Sequence, residues 1–267
     1  MLLLAATTAL TAMLQPIDED HDRSWSAFPG DGAFSQETRN AHDPTIIAFD
    51  GYYFCFSTSG NGFGVVRSSK DLHRWTVLGP LFLDQPDWLA KRYRHRSIWA
   101  PDVVVLGKTL RVYYSASNWG SNESVIGLAE CANFDPKRPL AGWVDKGLVI
   151  ESKPSADVFN AIDPEVLIDT SKRHWLFFGS YFGGIYAVEL DAKSGKLKIP
   201  GNPELIHIAQ NTTEKGNPLE GCAVCYRDGF FYCFVSYGLA GQGVRSTYRL
   251  MVGRSKSPTG PYVDLQG

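Results

Sequence analysis

Asn160-Ala161-Ile162-Asp163-Pro164-Glu165 opens a strand-like run, Val166-Leu167-Ile168, which passes through a polar turn, Asp169 to Arg173, into Trp175-Leu176-Phe177-Phe178-Gly179-Ser180. The same order occurs three more times. His42-Asp43-Pro44 precedes Thr45-Ile46-Ile47-Ala48-Phe49 and then Tyr52-Tyr53-Phe54-Cys55-Phe56-Ser57. Ala100-Pro101-Asp102 precedes Val103-Val104-Val105-Leu106, the turn Gly107-Lys108, and Leu110 to Ser115. Leu219-Glu220-Gly221 precedes Cys222-Ala223-Val224-Cys225, the turn Arg227-Asp228-Gly229, and Phe231 to Ser236. Each unit is an acid, an apolar strand, a tight turn and an aromatic-rich strand ending in serine, repeated at about 60 residues.

A third strand follows the serine in every unit: Gly64–Ser69, Val125–Ala129, Gly184–Leu190 and Leu250–Ser255. A fourth follows in two of them, around Trp75–Leu78 and Trp143–Asp145. No long helical periodicity interrupts this order. Three to four antiparallel strands per unit, repeated four times, predict an all-β chain of the β-propeller type.

Composition fits one such domain. A chain of 267 residues, 44% of them hydrophobic, buries one large core. The formal net charge of −2, with lysine and arginine scattered along the chain, gives no basic stripe. Nucleic acid and anionic membrane surfaces are therefore not expected partners. The five cysteines form no disulfide framework in a chain of this length, and Cys222 and Cys225, although spaced as in a redox motif, sit within a strand pattern. All five read as small buried strand residues. Residues 1–14 are apolar and too short to span a bilayer, and they read as a secretory leader or as a disordered end. Residues 15–40 are polar and turn-rich, an irregular lead-in.

Propeller geometry gives the acids a common destination. The first strand of each blade is innermost, so Asp43, Asp102, Asp163 and Glu220 are expected to converge on one cavity. Asp102, inside the tight Trp99-Ala100-Pro101-Asp102 corner, is the one expected to cap a turn or pair with an arginine. Carboxyls gathered in a cleft lined with aromatics are the equipment of glycoside hydrolysis: one protonates the leaving oxygen while another handles water or the anomeric carbon. Neighbouring charge and partial burial keep such an acid protonated near neutral pH.

On these residues the chain resembles glycoside hydrolase family 43, and within it the endo-α-1,5-L-arabinanases. The matching stretches include Ala41–Pro44, Ser97–Val103, Tyr113–Ser117 with Gly120-Ser121-Asn122, Asn160–Pro164, Gly179–Ile185, Leu219–Gly221, and Val252–Ser255 with Gly260-Pro261-Tyr262. The resemblance implies a five-bladed β-propeller and an inverting endo-hydrolysis of α-1,5-L-arabinofuranosidic bonds. It implies Asp43 as general base, Glu220 as general acid, and Asp163 as the residue that raises the pKa of Glu220 and holds it in position. It further implies substrate contacts from Trp99, Gly120, Asn160, Ala161, Ile162, Ser180, Tyr181 and Phe182, with Trp99, Trp119, Tyr181 or Phe182 able to stack on a furanose. Taken singly, each aromatic reads as core.

The partner so implied is a polysaccharide, arabinan or pectin side chains, met by a secreted or periplasmic monomer. The chemistry needs no cofactor. Family members carry a structural calcium supported by a histidine in a fifth blade, and here no histidine follows His207. Residues 15–267 are thus expected to form a single catalytic propeller whose last blade is missing or incomplete. An exo-acting arabinofuranosidase or β-xylosidase of the same family, and a non-catalytic carbohydrate-binding propeller, are the alternatives. His42, next to the base, is read as orienting it or as an ordinary turn histidine.

Overall fold

A computed structural model describes residues 41–58, 64–92 and 97–267. The leader expected at 1–14 and the lead-in at 15–40 lie outside the described residues.

Four antiparallel sheets follow one another along the chain. The first contains β1 (His42–Phe49), β2 (Tyr52–Thr58), β3 (Val65–Ser69) and β4 (Thr76–Gly79). After a single helical turn, α1 (Asp87–Ala90), the second contains β5 (Trp99–Leu106), β6 (Thr109–Ser117), β7 (Ser124–Cys131) and β8 (Val144–Ser152). The third contains β9 (Glu165–Ile168), β10 (His174–Phe178), β11 (Ile185–Leu190) and β12 (Ile206–Ala209). The fourth contains β13 (Leu219–Arg227), β14 (Phe230–Tyr237) and β15 (Arg249–Ser255). Every sheet is a meander in chain order, and the first strands β1, β5, β9 and β13 lie against one another in turn. That is the arrangement of propeller blades around a common axis.

Turn chemistry sets the register of the inner hairpins. Asp50-Gly51 and Asp228-Gly229 each place two consecutive residues at positive φ, the requirement of a two-residue hairpin whose twist matches its strands. The longer third turn is organised by one side chain. Asp169 Oδ1 accepts from the backbone N–H groups of Ser171 and Arg173, and Oδ2 accepts from Trp175 Nε1 and Arg173 Nε.

Each sheet in the middle of the series is buried on both faces. Along β10 every residue is buried, and the period of two splits them: Leu176 and Phe178 join the core shared with the second blade, Trp175 and Phe177 the core shared with the fourth. β6 behaves likewise, with Leu110, Val112, Tyr114 and Ala116 facing the first blade and Tyr113 the third. Burial of each large ring contributes about 1.5–3 kcal/mol. The fourth blade differs, since Leu250, Met251 and Val252 of β15 are exposed.

All strands expected from the sequence are present, and β8 extends well past the residues expected for it. The short β12 went unpredicted because Ile206-His207-Ile208-Ala209 is flanked by polar residues and is too brief to show a period. Cys55, Cys131, Cys222 and Cys233 are buried and Cys225 half-buried, all as free thiols.

Candidate active site

The acids sit where the ladders break. Asp43 (φ 47°) lies in a register shift between His42 and Thr45, and Asp163 (φ 55°) stands just before β9. Glu220 precedes Gly221 (φ 60°) in a shift between Glu220 and Ala223. An irregularity of this kind re-aims one side chain without disturbing the strand beyond it. Asp tolerates the left-handed region better than bulkier residues do.

Hydroxyls at the ends of the second strands then fix the acids, and they do so from one blade to the next. Thr58 donates to Asp43 Oδ2 at 2.6 Å while accepting from the backbone N–H of Ala100 in the second blade. Ser115 of the second blade accepts from the Asp163 N–H at 3.1 Å. Ser180 of the third blade donates to Glu220 Oε2 at 2.7 Å, and Tyr248 donates to the other oxygen, Oε1, at 3.0 Å. His42 Nδ1 lies 2.7 Å from Asp43 Oδ2, so this histidine touches the acid beside it.

Asp163 links the other two. Its Oδ2 accepts from the Gly221 N–H, adjacent to Glu220. Loss of solvent around it, together with the negative charges of Glu220 and Asp43, pushes its carboxyl well above the ordinary aspartate range. The Asp163 carboxyl therefore holds a proton at a pH where isolated carboxyls have lost theirs. Asp163 has few donors, whereas Glu220 is served by two hydroxyls.

Asp102 stands apart from this cluster, which corrects the expectation of four converging acids. It is buried within β5, accepts from the Val166 N–H at 2.8 Å and from Thr45 Oγ1 at 3.3 Å, and its negative charge helps push the buried Glu165 carboxyl upward. Burial raises Asp102 to about 6. Its partners are thus a backbone amide and a threonine in the two flanking blades rather than an arginine or its own turn.

The profile of glycosyl hydrolases family 43 matches residues 38–267. The chain belongs to that family. It is 36% identical over 248 residues to the extracellular endo-α-(1→5)-L-arabinanase 1 of Bacillus subtilis, covering 91% of this chain and 73% of that protein. It is 35% identical to the extracellular exo-α-(1→5)-L-arabinofuranosidase of Cellvibrio japonicus, covering 85% of this chain and 67% of that one. Among solved structures, the Cellvibrio cellulosa α-L-arabinanase complexed with arabinohexaose superposes with a TM-score of 0.77 at 32% identity, covering 85% of this chain and 74% of that one.

Against this family background, the residues expected to touch substrate divide into two groups. Trp99 is half-buried and meets the fully exposed Trp119 edge to face at 6.4 Å between ring centres, and Gly120 lies beside it at φ 75° with open space around its Cα. Tyr181 and Phe182 adopt positive φ in succession (53° and 42°), a strained pair that leaves Phe182 exposed. Solvent therefore reaches these residues. Asn160, Ala161, Ile162 and Ser180 are buried, and their polar groups are already engaged. Asn160 accepts from Ser124 Oγ and donates to the Ser180 carbonyl. Ala161 N–H donates to Ser152, Ile162 is bonded through both backbone groups, and the Ser180 hydroxyl serves Glu220. Instead of facing solvent, this segment supports the loop that carries the acid cluster.

Thr58, Ser115 and Tyr248 were missed as site residues. The signal for the first two was present, since every second strand ends in a hydroxyl residue. For the calcium expected in this family, no three His, Cys, Asp or Glu side chains converge as a ligand set among the described residues. The described residues do not supply a site for that ion, and no step below passes through it.

Proposed function

We propose that the protein is an inverting endo-hydrolase of α-1,5-linked L-arabinofuranosyl chains. The observation that carries this reading is the acid cluster: three carboxyls from three blades, with Asp163 in electrostatic contact with both of the others. Asp43, open to solvent and fixed by Thr58, takes a proton from water as the water oxygen bonds to the anomeric carbon. The bond from that carbon to the glycosidic oxygen breaks on the opposite face, and Glu220 gives its proton to the departing oxygen. Asp163 takes no bond of its own and aligns Glu220 through the Gly221 amide. A single displacement of this kind inverts the anomeric configuration and needs base and acid about 6.5–9.5 Å apart.

Exposed Trp119 and Phe182 offer faces on which sugar rings can stack, and the relative named as an endo-α-(1→5)-L-arabinanase supports cleavage of internal bonds. The ring that goes with this reading is five-bladed, the four sheets described being four of its blades. In its support, Leu250, Met251 and Val252 expose the kind of apolar area that a neighbouring blade covers. Relatives named as extracellular support a secreted or periplasmic setting.

The test is reducing-sugar release from debranched linear arabinan, with products sized by chromatography. Short oligosaccharides that vanish in Asp43→Ala and in Glu220→Gln are expected, with losses on the order of a thousandfold and unchanged circular dichroism. No release from folded wild-type protein would make it a carbohydrate-binding propeller, and release of monosaccharide alone would make it exo-acting.

A further inference from the structure

We infer that Tyr248 is a positioning residue for the general acid, holding the Glu220 carboxyl in the plane from which it protonates the leaving oxygen. The inference rests on the hydrolase reading above and adds a residue that reading does not contain.

Tyr248 ends the loop 238–248 between β14 and β15, and the base of that loop is closed by its own backbone. The Leu239 N–H donates to Thr247 Oγ1 at 2.9 Å, and the Thr247 N–H donates to the Leu239 carbonyl at 3.0 Å. Gly238 makes the closure possible: at φ 99° a Cβ there would lie 2.5 Å from the Thr247 carbonyl oxygen. On the far side of the neck, the Arg249 guanidinium packs over the Tyr237 ring at 4.6 Å. The phenol is therefore delivered from a fixed anchor, although Tyr248 is itself 43% exposed.

Glutamate needs such an anchor. Its carboxyl sits on a three-torsion stem, and at Glu220 that stem leaves a strand whose ladder is interrupted. Ser180 from the third blade holds Oε2, and Tyr248 from the fourth holds Oε1. Two donors on the two oxygens define the carboxyl plane, whereas one alone leaves it free to rotate about the bond to Cγ. Ser236 stands opposite Glu220 in the β13–β14 register, on the strand that leads into this loop. Burial keeps the phenol protonated well above its usual range, so it remains a donor throughout the working pH.

A positioning role predicts a dependence on leaving group that a packing role does not. Natural arabinan departs as an alkoxide and requires the proton, whereas a 4-nitrophenyl α-1,5-arabinotrioside departs as a stabilised phenolate. In the full chain, Tyr248→Phe should lower kcat on linear arabinan about tenfold with KM unchanged, the worth of one hydrogen bond. On the aryl substrate kcat should stay within about twofold. Equal losses on both substrates, unchanged rates on both, or a rise in KM alone would overturn the inference. A wild-type protein inactive on both would instead bring down the hydrolase reading, which separates the two failures. Tyr248→Phe keeps the ring, and matching thermal unfolding of the two proteins checks that the loop is retained.

Discussion

Thr58 does two things with one oxygen. It donates to the proposed base and accepts from the Ala100 amide of the neighbouring blade. Thr58→Val keeps the shape and removes both bonds, leaving a partly buried N–H without its acceptor. We expect about 1–3 kcal/mol of lost stability in urea denaturation together with roughly tenfold slower arabinan cleavage. Thr58→Ser should restore both, and a valine variant indistinguishable from wild type in rate would show that Asp43 needs no such support. The positions of Asp43 and Glu220 were legible in the sequence because an acid before an apolar strand recurs at a fixed period, while the base and acid roles proposed for them came from the family resemblance. Thr58 and Tyr248 were less visible for different reasons. Thr58 follows the serine of the repeat by one position, displaced by the irregularity in β1, and Tyr248 lies in a loop where no periodicity exists to single it out.

At the level of strands and hairpins, the sequence was most informative where the turn is two residues long and least where pairing depends on tertiary neighbours. Asp50-Gly51 and Asp228-Gly229 announce their hairpins, but nothing local announces β12, which exists because β11 offers it an edge. The same distinction applies to glycine. Gly127 in β7 has ordinary backbone angles, and its necessity comes from across the sheet, where the Tyr114 ring lies over it and a Cβ would fall 2.4 Å from Cζ. Tyr114 is fully buried and its hydroxyl is tied to Asp145, so the ring has no room to swing away. Gly127→Ala should therefore cost about 2–3 kcal/mol, measured by thermal or chemical unfolding, through overpacking alone. Little change would mean that the β6–β7 pair can slide apart.

Taken whole, the molecule is a row of blades joined along its inner strands by carboxylates that accept from the amides of the next blade: Asp102 from Val166, Glu165 from Val224, Asp163 from Gly221. Desolvation raises all three. For Asp102 the folded protein holds its proton up to about pH 6, while the unfolded chain releases it near 3.8. Between those values the native state binds more protons, so this group's contribution to stability falls as pH rises, by about 1.4 kcal/mol per pH unit. Asp102→Asn keeps an oxygen for Val166 and cannot ionise. Relative to wild type, its stability in urea should improve progressively from pH 4 to pH 6, by about 2 kcal/mol, and a constant difference across that range would refute the shift. The blade-to-blade handing of hydroxyls carries a separate consequence for how such a protein can change. Because Ser115 of the second blade holds the Asp163 backbone and Ser180 of the third holds Glu220, the third and fourth blades do not own their share of the centre outright. Chimaeras cut between sheets would part an acid from the group that aims it, so new specificities should be easier to reach by altering rim loops such as 117–123 than by exchanging blades as cassettes.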